Sequence, residues 1–340
     1  MNNKSGLQNR GNTCYLNTSI QCLHNLPILT EYFITNNYIN DININIRKKK
    51  LKSNDISFTK EFARLIIKMS TGNQSVIDPK NVHQLLQKID ERFRGFGQQD
   101  SQESLAFILD NLHETLKYEC DIDYSGTIEN ELDELMVESA KSWKIEQNNN
   151  FSIIGELFFG QFINSIISLD KSDKGTLVSK KFEMFNMLNI SIHGNTLYDS
   201  LSNYFKKEIL DSKYLNEKTN KYIDSYRQLK IMKVPKYLII TLKRYKNNLR
   251  KSDNYISFPI DDLDLTSYSD GYDKLSCSLK LMTIGCHTGY LNSGHYFSIC
   301  RFMDNKWYQY NDETVTEFDL NLNKKDLFKD SYILIYERID

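Results

Sequence analysis

Proline is scarce in this chain: 340 residues hold four, with two tryptophans and no internal repeat, which leaves no ground for a solenoid or a low-complexity linker. Charge of one sign is also missing. Forty-three basic residues face 44 acidic ones, so net charge gives no reason to expect nucleic acid or a membrane surface as a partner. The local basic run Arg47-Lys48-Lys49-Lys50-Leu51-Lys52 lies among Asn, Asp and Ser and reads as a solvated loop. Long apolar runs are absent: stretches such as Tyr237-Leu238-Ile239-Ile240-Thr241-Leu242 are too short to span a bilayer. Met1-Asn2-Asn3-Lys4-Ser5 is polar, unlike the start of a secretory signal. The six cysteines (14, 22, 120, 277, 286 and 300) include no C-x-x-C pair. They read as reduced thiols, and a cytoplasmic or nuclear home is expected.

What is present begins with Gly6 through Asn17, a Gly- and Asn-rich turn that delivers Cys14 to the first turn of a helix. Leu16, Ile20 and Leu23 can share its buried face, and Asn25-Leu26-Pro27 closes it. A thiol there lies near the positive end of the helix dipole, which favours the attacking thiolate. The alternative is a buried cysteine serving as small apolar filler.

Residues 34–57, rich in Asn, Ile and Lys, read as an irregular surface insertion. Helical spacing returns at Phe62-Leu65-Ile66-Met69, at Val82-Leu85-Leu86-Ile89-Phe93 after Asp78-Pro79, and from Asp100 through Leu116. Residues 121–150 read as a loop with helix around 131–141. From Ile153 the chain turns β-branched and aromatic, interrupted by one helix over 196–210 that Thr196 and Asp199 start. Strands are expected at 229–234, 236–246, 279–284, 295–302, 306–311 and 331–337. Helices first and an antiparallel sheet after them make an α+β fold.

A nucleophilic cysteine needs a base, and the base needs an orienting partner. His24, His83 and His113 lie on or beside helices, where packing or a surface place is the default, and His193 adjoins a turn glycine. His287 and His295 stand out in Gly285-Cys286-His287-Thr288-Gly289-Tyr290-Leu291-Asn292-Ser293-Gly294-His295-Tyr296. His295 opens a strand. A turn at Asp304-Asn305 would lay Asn311-Asp312 beside it, where an amide or carboxylate accepts the imidazole N–H and leaves the other nitrogen for the thiol.

These residues resemble the catalytic domain of the ubiquitin-specific protease family, papain-like cysteine deubiquitinases. The cysteine box is met by Gly6 through Asn17. Gln98-Gln99-Asp100-Ser101-Gln102-Glu103-Ser104-Leu105 approximates a second box, with Ser101 for Ala and Ser104 for Phe. Leu242-Lys243-Arg244-Tyr245, Phe258-Pro259 with Leu263-Asp264-Leu265 and Tyr268, His287 to Tyr296, and Trp307 to Val315 follow in family order. The resemblance implies one papain-like domain, with a helical thumb (about 1–152), β fingers (about 153–235) and an antiparallel β palm (about 236–340).

The resemblance also implies roles. Cys14 is the nucleophile, His295 the base, Asn311 the orienting residue with adjacent Asp312 as its rival, and Asn9 the oxyanion donor; a plain turn role is the alternative for Asn9. Asp100 and Glu103 would contact the basic tail of ubiquitin, although Asp-x-x-Glu also reads as a capping box. His287, Gly294 and Tyr296 would line a channel that admits only glycines, or simply serve strand packing and the turn. The reaction implied is thiol-dependent hydrolysis after ubiquitin's C-terminal glycine, without a cofactor. The expected partners are ubiquitin and ubiquitinated proteins, and a monomer is expected. Ser168, Lys171, Asn216 and Thr219 stand where many members carry zinc-binding C-x-x-C pairs, so no structural zinc is expected. The rivals are a non-catalytic ubiquitin-binding module, a protease for another ubiquitin-like modifier and a zinc-binding scaffold.

Overall fold

The computed structural model describes residues 4–48, 51–171, 174–244, 252, 254–290 and 293–339. Lys49 and Lys50 of the basic run, Ser172 and Asp173, and Tyr245 lie outside the described residues.

The first half is helical: α1 (Cys14–His24), α2 (Pro27–Ile34), α3 (Asn37–Lys48), α4 (Ser53–Thr71), α5 (Lys80–Ile89), α6 (Ser101–Leu116), α7 (Glu131–Gln147) and α8 (Ile153–Phe158). Two short parallel strands, β1 (Gly6–Leu7) and β2 (Val76–Ile77), tie the N-terminus to this layer. The insertion expected to be irregular is therefore mostly α3 and the start of α4. Its polar composition conceals one buried stripe, Tyr38, Ile42 and Asn45, at helical spacing. Asn45 earns its burial by donating to the carbonyls of Glu114 and Thr115 at the end of α6, both at 3.0 Å. Pro27, read as a terminator, occupies the first position of α2, where its missing N–H costs nothing.

β3 (Gly160–Ser168), β4 (Leu177–Phe185), β5 (Leu188–Ser191), α9 (Leu197–Tyr204), β6 (Glu208–Ile209), β7 (Tyr214–Asn216), β8 (Lys221–Ile223) and β9 (Ser225–Lys233) follow. The helix at 196 forms with the capping box its sequence suggests but stops at Tyr204. β4, β3, β9 and β6 make one four-stranded sheet, and β7 and β8 a separate hairpin.

The rest builds the large sheet: β10 (Tyr237–Lys243), β11 (Leu263–Asp264), β12 (Ser278–Thr288), β13 (His295–Arg301), β14 (Trp307–Asn311), β15 (Thr314–Glu317), α10 (Leu320–Asp330) and β16 (Ser331–Ile339). Its order is β15-β14-β13-β12-β16-β10-β5, with β11 on β12. Pairing is antiparallel except where β5 meets β10; the long excursion between them permits a parallel pair.

Alternation places this sheet at the centre of the molecule. Tyr237 and Ile239 of β10 and Ile333 and Ile335 of β16 face the helices. Leu238, Ile240, Leu334 and Tyr336 face a second core with α9 and α10. Burial on both faces explains why β10 reads as a continuous apolar run.

Candidate active site

The nucleophile loop is built by backbone chemistry. Gly11 (φ +95°) and Asn12 (φ +56°) both adopt the left-handed region and turn the chain sharply before α1. Asn9 Oδ1 accepts from the N–H groups of Gly11 (2.9 Å) and Thr13 (3.2 Å), and Thr13 Oγ1 accepts from Arg10 N–H (2.9 Å). Cys14 then occupies the first position of α1, only 4 % exposed. No carbonyl within the helix can accept its N–H at that position.

Helix α1 packs against β13, which begins with His295. In the β13–β14 register Ile299 lies opposite Gln309, so stepping by two brings His295 and Asn311 to one face. His295 Nε2 lies 2.6 Å from Asn311 Oδ1 and 3.9 Å from Asp312 Oδ2. With Nε2 donating to Asn311, Nδ1 is left for Cys14. The His295 pKa is raised to about 9, chiefly by its hydrogen bond with Cys14; burial opposes this, while the Asn311 bond and the Cys14 and Asp312 charges add to it.

Asp312 has a different place from Asn311. It lies in the turn between β14 and β15 (φ +47°), and its carboxylate accepts from Asn9 Nδ2 and Asn17 Nδ2, each at 2.8 Å. Its carbonyl takes Leu7 N–H (2.8 Å), and the neighbouring Glu313 Oε1 takes Asn9 N–H (2.8 Å). One proton of the Asn9 amide is thus held by Asp312, leaving its second one for another acceptor.

Asp100 caps α6: Oδ1 accepts from Gln102 N–H (2.7 Å) and Oδ2 from Tyr332 Oη–H (2.6 Å). Its burial raises its pKa. Glu103 makes no reciprocal capping bond; it is exposed, 3.7 Å from Arg92. His287 is buried, with its ring centroid 4.3 Å from that of Tyr296. At Gly294 a Cβ would fall 2.0 Å from His287 Nε2, so glycine is required there.

Three contributors carried no assignment from the sequence. Asn17 holds Asp312, Tyr332 holds Asp100, and Gln98 bonds both polar groups of Gly294. Asn17 and Gln98 stand inside the motif boxes, the one signal that pointed to them.

At the positions of the expected missing ligand pairs, side chains close turns. Ser168 Oγ accepts from Asp170 N–H (3.2 Å), and Asn216 Oδ1 from Lys218 N–H (3.0 Å). Lys171 and Thr219 belong to the same turns. Among the described residues, no group of three or more His, Cys, Asp or Glu side chains could hold a metal ion, and no helix is long and apolar enough to cross a membrane.

A helix-headed cysteine facing a strand-borne histidine, across the junction of a helical layer and a mostly antiparallel sheet, defines the papain-like α+β class. The family model described as ubiquitin carboxyl-terminal hydrolase matches residues 5–336, and the chain belongs to that family. It is 29% identical over 354 residues to ubiquitin carboxyl-terminal hydrolase 2 of Bos taurus, covering 99% of this chain and 56% of the relative. It is 30% identical over 373 residues to ubiquitin carboxyl-terminal hydrolase 4 of Saccharomyces cerevisiae, covering 98% of this chain and 39% of the relative. Among solved structures, the SAGA DUB module bound to ubiquitin aldehyde matches with a TM-score of 0.74 at 24% identity, covering 99% of this chain and 70% of that one, a likeness of fold. The chain spans between about a third and a little over half of the curated relatives it matches.

Proposed function

We propose that this chain is a cysteine-type deubiquitinase that hydrolyses the isopeptide or peptide bond after ubiquitin's C-terminal glycine. The observation that carries the reading is the meeting of Cys14, His295 and Asn311 from α1, β13 and β14, in a chain of this family. The Cys14 thiolate attacks the glycine carbonyl carbon. Negative charge on the carbonyl oxygen is met by the Cys14 N–H and the free proton of the Asn9 amide, a donor typically worth about 10²–10³ in rate. The His295 imidazolium gives its Nδ1 proton to the departing amine, leaving a thioester. Water, deprotonated by His295, then releases ubiquitin and regenerates the thiolate.

Asn311, at 2.6 Å against 3.9 Å for Asp312, is the orienting residue in this scheme. Asp312 anchors the oxyanion donor. Ubiquitin and ubiquitinated proteins are the partners. The compartment proposed is a reducing one, cytoplasm or nucleus, where a thiol nucleophile stays reduced.

The test is incubation with ubiquitin bearing a C-terminal thiol-reactive warhead, beside Cys14→Ser and warheads on other ubiquitin-like modifiers. A Cys14-dependent adduct with ubiquitin is expected. No adduct, or one that survives Cys14→Ser, sinks the reading; preference for another modifier transfers it to that substrate.

A further inference from the structure

We propose that Gln98 is a positioning residue for His295, acting through the peptide that joins Gly294 to His295. The proposal rests on the reading of Cys14 and His295 given above.

Gln98 belongs to the turn before α6, on the helical side of the junction, whereas Gly294 leads into β13 of the sheet. Its Nε2 donates to Gly294 O at 2.8 Å, and its Oε1 accepts Gly294 N–H at 2.9 Å. Both halves of one side-chain amide therefore engage both backbone groups of one residue, as a neighbouring strand would. The Gly294 carbonyl is part of the peptide plane that carries the His295 nitrogen. Fixing that plane fixes where the imidazole side chain starts.

Gly294 is gripped from a second side. A Cβ there would lie 2.0 Å from His287 Nε2, so the peptide rests directly on the His287 ring. His287 stacks obliquely on Tyr296 (4.3 Å between centroids), and Tyr296 is 6.1 Å from Tyr332. Tyr332 returns to the same turn by donating to Asp100 Oδ2 at 2.6 Å. Gln98 and Asp100 thus fasten one short turn to the sheet at two points, on either side of the His287–Tyr296 stack. The His295 side chain itself is 40 % exposed, so packing alone does not fix its ring. A misplacement of about 1 Å in a reacting group can cost about 10²-fold in rate.

The bland alternative is a turn residue whose bonds add only stability. Three measurements on the whole chain separate the two: thermal melting, kcat and KM on a ubiquitin C-terminal fluorogenic amide, and the pH profile of Cys14 alkylation by iodoacetamide. The last reads the thiolate–imidazolium pair without any ubiquitin. The variants are Gln98→Ala and Gln98→Met, which keeps side-chain length; Gln98→Glu, which keeps the acceptor, replaces either one that fails to fold.

The expected result is a kcat lower by about ten- to a hundredfold with KM nearly unchanged. The acid-side wave of alkylation should move to higher pH, because a loosened imidazolium no longer holds the thiolate, and melting should stay near the parent's. Unchanged kcat and alkylation profile overturn the proposal. So does a kcat loss that only parallels a lower melting temperature while the alkylation profile stays put. If the parent forms no ubiquitin adduct but the alkylation wave still moves in the variants, the substrate reading fails and the positioning role stands.

Discussion

Asp312 is where the two ends of the chain meet. One carboxylate receives the amides of Asn9 and Asn17, and the same residue's carbonyl receives Leu7 N–H. Asp312→Asn turns one of its oxygens into a donor, so either Asn9 or Asn17 then faces another N–H group. We expect kcat to fall about 10²-fold, the typical worth of an oxyanion donor set adrift. Stability should drop by only about 1–2 kcal/mol, because a few polar contacts change in a part-buried place. Steady-state kinetics beside urea unfolding checks both numbers. His295 supplies a pH prediction. Its pKa is raised to about 9, so the imidazolium needed to protonate the leaving amine is lost as pH rises through that value. Activity should therefore fall on an alkaline limb near pH 9. In Asn311→Ala, which removes one of the raising bonds, the limb should move to lower pH. Cys14 and His295 were legible in the sequence because residue type and glycine-rich surroundings mark them. The division between Asn311 and Asp312 was not. Neighbours in sequence are separated here by the strand's end: Asn311 completes β14 on the histidine's face, and Asp312 turns away at positive φ.

At the scale of elements, strong periodicity was legible and polar camouflage was not. α4, α5 and α6 follow the apolar spacing that announces them. α3 was hidden because its buried stripe ends in an asparagine whose partners, the last carbonyls of α6, are about 70 residues away. α10 was hidden because only Leu327 and Phe328 of its residues are buried. The two serines that depart from the family box have a physical account. Ser19 of α1 lies 2.6 Å from Ser104 Oγ and 3.2 Å from Ser101 Oγ, so a buried hydroxyl cluster takes the place of apolar packing between α1 and α6. Arg244, fully buried, joins elements in another way. Its guanidinium donates to the carbonyls of Ser331 and Phe328 at 2.5 and 2.8 Å, where α10 gives way to β16, and to that of Asn254 between β10 and β11 at 2.8 Å. Arg244→Met keeps much of the volume and removes these donors, leaving the Phe328 carbonyl only Ile256 N–H at 3.1 Å. The expected cost is about 3 kcal/mol or more, read as a lower urea midpoint.

For the whole molecule, the helical layer and the sheet depend on one core, and His24 lies deep in its helical side. The residue is 1 % exposed at the end of α1. Its Nε2 lies 3.0 Å from Ser70 Oγ of α4, and its carbonyl accepts Thr30 Oγ–H of α2 at 2.6 Å, so three helices converge on it. Burial lowers its pKa from 6.5 to about 4. The sign follows from linkage. Between those two values the unfolded chain binds a proton that the folded chain refuses. The contribution of His24 is therefore whole above pH 6.5, and it is lost as pH falls toward 4. The loss amounts to about 3 kcal/mol at most, which is a large share of the stability of an ordinary domain. Protonation would place a charge among three helices, one of which carries Cys14 at its other end, so acid should disarm the site by loosening the layer that presents it. Urea unfolding of the parent and of His24→Gln at pH 7, 6, 5 and 4 checks this. The glutamine keeps a polar partner for Ser70 but does not titrate. The parent should lose stability steeply below pH 6.5, and His24→Gln should lose about 3 kcal/mol less across the same range. Parallel curves for the two proteins would assign the acid sensitivity to other groups and remove His24 from the account.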